Sequence, residues 1–154
     1  MQPIAIDRHS FGARPVAGAG PRPGEPWPQE GEAWLIYDGH CPFCARYTRY
    51  LRLRDTVGSV RLLDARCEEE VVAMVRARHL DLDEGMVLLL HDQCYHGADC
   101  LNALALLSSR VGWFNRLNHA LFRHPRLARV AYPALRAGRN VILRILGRRP
   151  IDAP

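Results

Sequence analysis

Two cysteines three positions apart, Cys41 and Cys44, are the residues of this chain best suited to chemistry. They follow an Asp38-Gly39 turn and open a helix-like segment that runs to Arg54. A Cys-x-x-Cys at a helix start places its first sulfur among unpaired backbone N–H groups, at the positive end of the helix dipole. That environment favours thiolate over thiol and can bring a cysteine pKa from about 8.5 into the range ~3.5–7.5. The i, i+3 spacing brings the second cysteine to the same side, one turn along. Such a pair can exchange with a disulfide, with Cys41 attacking as thiolate and Cys44 resolving the mixed disulfide. Cys44 shares the apolar helix face with Tyr47, Thr48 and Leu51, so Cys41 is expected to be the exposed partner.

The neighbours offer supporting roles. Asp38, three residues before Cys41, could accept a proton from Cys44 or cap the helix by accepting backbone N–H groups. A carboxylate beside Cys41 would by itself raise the thiol pKa, so its placement matters. His40, when protonated, could stabilise the thiolate. Pro42 suits the first helical turn, where its missing N–H leaves nothing unpaired. His40, Pro42 and Phe43 are also candidate substrate contacts. The competing use of the cysteine pair is as half of a zinc site, which needs two further ligands. Cys67, Cys94, Cys100, His91 and His96 are present, but none forms a second Cys-x-x-Cys or a closely spaced His pair. Redox chemistry is the better reading, because strand, turn and helix are the setting it uses. Cys67, Cys94 and Cys100 read as small buried or half-buried residues.

The elements that must position the pair can be read in order. Ala33 to Tyr37 is a short apolar strand bounded by Gly31 and Asp38-Gly39. Val60 to Asp64 is a second strand, and residues 66–79 form a helix with Glu68, Glu69 and Glu70 in its first turn. Met86 to Leu90 is an apolar, central strand that turns through His91-Asp92-Gln93 into Cys94-Tyr95-His96. Leu101, Leu104, Ala105 and Leu107 mark the next helix. The order β-α-β-α-β-β-α makes the first two strands parallel and the last two an antiparallel hairpin. It predicts an α/β, thioredoxin-like core over residues 33–110 with a four-stranded mixed sheet. Residues 111–148 add a C-terminal helical extension of the same domain. Trp113, Leu117, Leu121 and Phe122 space like one helix. Val130, Ala134, Ala137, Val141, Ile145 and Leu146 space like another, with Pro125 and Pro133 as interruptions.

Composition narrows the class. A chain of 154 residues can bury one core. No stretch approaches the ~20 apolar residues of a membrane helix, and no apolar run follows Met1 as in a secretory signal. A cytoplasmic location is the expectation, and the odd count of five cysteines argues against a disulfide framework. Residues 1–32 hold six prolines and five glycines and read as a disordered leader. The net charge of +5 divides unevenly, with −4 over residues 1–99 and +9 over residues 100–154. The basic segment from Arg110 to Arg149 suggests weak docking to a membrane surface or a partner; nucleic acid is not expected.

The string Asp38-Gly39-His40-Cys41-Pro42-Phe43-Cys44 resembles the signature of the DCC (DUF393) family of thiol–disulfide oxidoreductases, named for its spaced Asp, Cys and Cys. The resemblance continues through Leu62-Leu63-Asp64, through Tyr95-His96-Gly97-Ala98, and to Tyr132 and Arg139, covering about residues 33–147. It implies a thioredoxin-like fold and protein-disulfide oxidoreductase activity, with no cofactor. Its partners would be protein or small-molecule thiols and disulfides, together with an unidentified reductant. Thioredoxins and glutaredoxins carry a cis-proline just before the third strand; here Gly85-Met86 stands there, so a glutathione site does not carry over. Met86 has two readings, a substrate contact packed on the cysteines and ordinary core. Two further readings stand beside the oxidoreductase: a zinc-binding interaction module, and a redox-inactive thioredoxin-like adaptor with a basic docking tail.

Overall fold

A computed structural model describes residues 13–50, 58–108, 113–148 and 151. The predicted features at Leu51, Arg52, Arg54 and Arg110, and the ends of the chain, lie outside the described residues. The elements run β1 (Glu32–Tyr37), α1 (Pro42–Tyr50), β2 (Ser59–Asp64), α2 (Glu69–Arg76), β3 (Val87–Leu90), β4 (Gln93–His96), α3 (Gly97–Leu107), α4 (Trp113–Phe122) and α5 (Pro125–Ile145). The sheet order is β2-β1-β3-β4, with β1 and β2 parallel and the other two pairings antiparallel. This is the expected α/β, thioredoxin-like arrangement with a C-terminal helical extension. The central strands β1 and β3 are apolar because both their faces are covered.

Strand alternation sends side chains to two cores. Leu35, Leu88, Leu90 and Tyr95 face one side and pack with Leu101, Leu104, Phe122 and Ala128 of α3, α4 and α5. Trp34, Ile36, Val87 and Leu89 face the other and pack with Val71, Val72 and Val75 of α2. Cys44 and Tyr47 of α1 join the first core, so the cysteine pair lies on the sheet face that the C-terminal helices cover.

Both appended segments differ from expectation. Residues 13–31 of the leader are docked, not disordered. Ala13 and Ala19 are buried, and Val16 N–H donates to the Cys94 carbonyl at 2.8 Å. The Trp27 indole donates to the His91 carbonyl at 2.6 Å. The Arg78 guanidinium, buried past the end of α2, reaches the Ala19 and Gly20 carbonyls at 3.2 and 2.8 Å and Glu25 at 2.5 Å. Backbone carbonyls need no apolar side chain to bind a buried arginine, which is why composition concealed the docking.

In α5, Pro133 does not break the helix. The helix ends at Gly147, with φ 63°, whose N–H reaches the Arg144 carbonyl while Arg148 N–H reaches Leu143. Its apolar stripe of Val130, Ala134, Ala137, Val141 and Ile145 faces outward, with Val130 and Ile145 more than three-quarters exposed. The inward face is instead Ala128, Tyr132, Arg139 and Leu143. The small Ala128 permits close helix approach, and the polar ends of Tyr132 and Arg139 find partners inside.

Candidate active site

Cys41 stands at the N-cap of α1, with its carbonyl accepting the first helical bond from Ala45 N–H at 3.0 Å. Its sulfur turns back over the helix start and accepts Cys44 N–H at 3.3 Å and also Phe43 N–H. This is the N-cap pattern with sulfur in place of oxygen. The first turn of α1 carries no acid, so the helix dipole meets the sulfur uncompensated.

Donation from the Cys44 thiol is the largest influence on Cys41. Burial opposes it, while the backbone N–H groups and the Arg139 charge reinforce it. Together they lower the Cys41 pKa from 9.0 to about 6. Cys44 moves the opposite way. Its hydrogen bond to the Cys41 sulfur, its burial and the Cys41 charge all hold its proton on. The two cysteines are therefore poised as a thiolate and a thiol.

Their exposure corrects the expectation. Cys41 is fully buried and Cys44 only partly so. An N-cap side chain folds inward to reach backbone amides, and Arg139 lies beside it. Periodicity places Cys44 on the apolar face but cannot say that this face borders a cleft.

Asp38 is buried and does not cap α1. One of its oxygens accepts His40 N–H and Arg66 Nε, both at 3.0 Å; the other accepts Arg139 Nη2 at 3.0 Å. Burial would raise its pKa, but Arg66, the His40 N–H and Arg139 outweigh that and hold the carboxyl below its usual value. Cys41 N–H instead bonds the Asp38 carbonyl at 3.0 Å, closing the turn. Gly39 is required in that turn, because a Cβ there would run into the Asp64 carboxylate, which already accepts Gly39 N–H at 3.0 Å.

Arg139 is the residue whose role was not read from the sequence. It arrives from α5, buried, and touches Asp38, the Asp83 carbonyl and the Cys41 sulfur. Burial works against its charge, but Cys44, Cys41 and Asp38 hold the guanidinium protonated. Its Nε is buried with no hydrogen-bond partner among the described residues. Tyr132, two turns before it, donates to the Glu84 carbonyl and packs over Gly85 and Gly97. A Cβ at Gly85 would collide with the Tyr132 hydroxyl, so this glycine fits the tyrosine. The family resemblance had marked both positions; local spacing gave neither a task.

A cleft of about 640 Å³ opens beside the sulfurs. Both cysteines, Phe43 and Met86 line it. His40 and Pro42 are exposed and lie outside its lining. Met86 is buried, so it serves core and cleft wall together. Cys94 and Cys100 are fully buried and burial raises both pKa values, that of Cys94 to about 12. Cys67 is exposed. Among the described residues, no three His, Cys, Asp or Glu side chains gather where they could hold a metal ion, so the zinc reading has no ligand set there.

The family described as DCC1-like thiol-disulfide oxidoreductase matches residues 35–145. The chain belongs to that family. The match runs from β1 to the end of α5, so Asp38, the cysteine pair and Arg139 all lie within it. No curated protein and no solved structure matches the chain. Nor is any helix among the described residues long and apolar enough to cross a membrane.

Proposed function

We propose that this member of the DCC1-like family is a protein-disulfide reductase that cycles Cys41 and Cys44 between dithiol and disulfide. The observation that carries the reading is the Cys41 sulfur at the N-cap of α1, bonded by Cys44 N–H and flanked by buried Arg139. The Cys41 thiolate attacks one sulfur of a substrate disulfide. A Cys41–substrate bond forms, the substrate S–S bond breaks, and the departing sulfur takes a proton. Cys44 then loses its proton and attacks the Cys41 sulfur. The Cys41–Cys44 disulfide forms and the second substrate thiol leaves. The substrate gains two electrons, which a dithiol reductant restores to the protein.

Once Cys41 is covalently bound to substrate, its sulfur no longer accepts the Cys44 thiol as a thiolate and its negative charge is gone, so two of the causes holding the Cys44 proton disappear. Asp38 serves this cycle as a positioning residue that anchors Arg139, because its two arginine partners make it a poor base. Phe43 and Met86 are the substrate contacts supported by the cleft; His40 and Pro42 would act only at its outer approach. A reducing, cytoplasmic setting suits five unpaired thiols.

The test is reduction of insulin disulfides with a recycling dithiol. Cys41→Ser is expected to abolish turnover and Cys44→Ser to trap a mixed disulfide on Cys41. Wild-type protein that exchanges with no dithiol would reject the reading in favour of a redox-inactive adaptor.

For α4 and α5 we propose weak docking to an anionic membrane surface. The outward apolar stripe of α5 supports it, as do the arginines over residues 113–148 other than Arg129, Arg136 and Arg139, which pair with Asp99, Glu84 and Asp38. Flotation with phosphatidylserine vesicles is expected to carry the protein and to fail with Val130→Asp. Equal recovery with zwitterionic vesicles would reject it.

A further inference from the structure

We propose that the cleft beside the cysteine pair selects disulfides flanked by bulky apolar side chains in a peptide or protein. This rests on the thiol–disulfide reading above and names its substrate class. A volume of about 640 Å³ lies within the ~300–1,000 Å³ usual for ligand sites. Phe43, Met86, Leu101, Phe122 and Leu135 form its walls. Phe43 stands at the lip, more than half exposed, where a partner's side chain would cover it. Opposite, Gly138 leaves open space where a side chain would otherwise stand.

Two of the three arginines that line the cleft are already matched, and the third, Arg46, is exposed. Arg136 pairs with Glu84 at 2.6 Å, and Arg139 pairs with Asp38 at 3.0 Å. A substrate rich in carboxylates would find Arg46 alone and would lose more water than it regains in partners. Backbone pairing is restricted as well. Just ahead of β3, the Glu84 carbonyl accepts the Tyr132 hydroxyl and the Met86 carbonyl accepts Gly97 N–H at 3.1 Å. With those two acceptors taken, burial of apolar side chains is the main recognition this wall offers. Each Leu- or Phe-sized group it covers is expected to raise kcat/KM about 10- to 100-fold.

The C-terminal helices supply part of this selectivity. Phe122 belongs to α4 and Leu135 to α5, whereas the sulfurs belong to α1. Part of the specificity thus comes from the C-terminal helices and meets the chemistry of α1 across one cleft.

The experiment compares full-length protein on three disulfides with a recycling dithiol. The first is a peptide disulfide flanked by Leu and Phe, the second the same peptide with Ser and Asp at those positions, and the third glutathione disulfide. The apolar peptide is expected to lead both others by at least about tenfold in kcat/KM. Leu135→Asp should collapse that ratio. Ala134→Glu, on the exposed lip, should reduce it without a buried substitution. Turnover of all three disulfides at similar kcat/KM would overturn the inference while leaving the oxidoreductase reading intact. So would an unchanged ratio in both variants. Turnover of none would remove both.

Discussion

Arg78 and Arg139 are the same residue at the same depth, and they do different things. Both are 7% exposed, on opposite faces of the sheet. Arg78 spends its donors on structure. It holds the Ala19, Gly20 and Met74 carbonyls and Glu25, and lies over the Trp27 ring at 5.3 Å. Arg139 reaches the Asp83 carbonyl, the Asp83 carboxylate at 3.7 Å and Asp38, but among the described residues its Nε has no partner and its charge lies beside two sulfurs. A buried arginine saturated by fixed oxygens is a tether. One left partly unsaturated next to a titrating group shifts that group's chemistry.

The comparison can be broken most directly by removing each guanidinium. Arg139→Met is expected to raise the Cys41 pKa above about 6, although the Cys44 thiol and the backbone N–H groups still lower it, and to slow iodoacetamide alkylation at pH 6 several-fold. Arg139→Lys should recover part of that rate, because charge returns without the planar fork. Arg78→Met is expected to cost about 3 kcal/mol in urea unfolding, since Glu25 and two leader carbonyls lose their partner, while the alkylation pKa stays put. If Arg78→Met shifted that pKa as far as Arg139→Met, the distinction would fail.

A smaller effect sharpens the Arg139 side. Asp38→Asn keeps an oxygen for His40 N–H but loses the charge that anchors Arg139. The negative charge near the thiolate is lost too, so the two consequences oppose each other. The expected result is a change of a few-fold in alkylation at pH 6, smaller than for Arg139→Met.

Stability should report the same thiolate. The Cys41 pKa is lowered in the folded protein, so unfolding of the reduced form takes up a proton between pH 6 and 9. The added stability is fully present above about 9 and is lost as pH falls through about 6. The disulfide form has no such thiol. The gap between reduced and oxidised urea midpoints should move in favour of the reduced form as pH rises over this window. His40→Ala closes the series with the smallest effect, within about 0.5 kcal/mol, because its side chain is exposed.

What could be read in the chain was whatever depends on neighbours a few residues away. The Asp38-Gly39 turn, Pro42 in the first turn of α1, Cys41 at the helix start and the order of strands and helices all follow from local backbone needs and short-range periodicity. The poise of Cys41 over Cys44 was legible too, because N-cap geometry is a matter of three residues. Burial was not. Whether the apolar stripe of α5 or its Tyr132–Arg139 face turns inward depends on which one fits Gly85, Asp83 and Asp38. The leader's docking likewise depends on an arginine 59 residues away. Arg139 meets Asp38 across 101 residues, a distance no periodicity spans. The sequence by itself therefore determined the thiolate's place at the helix start. Only the tertiary structure decided which charge stands beside it and which surface a substrate would meet, because those contacts exist only once α5 has packed across the sheet.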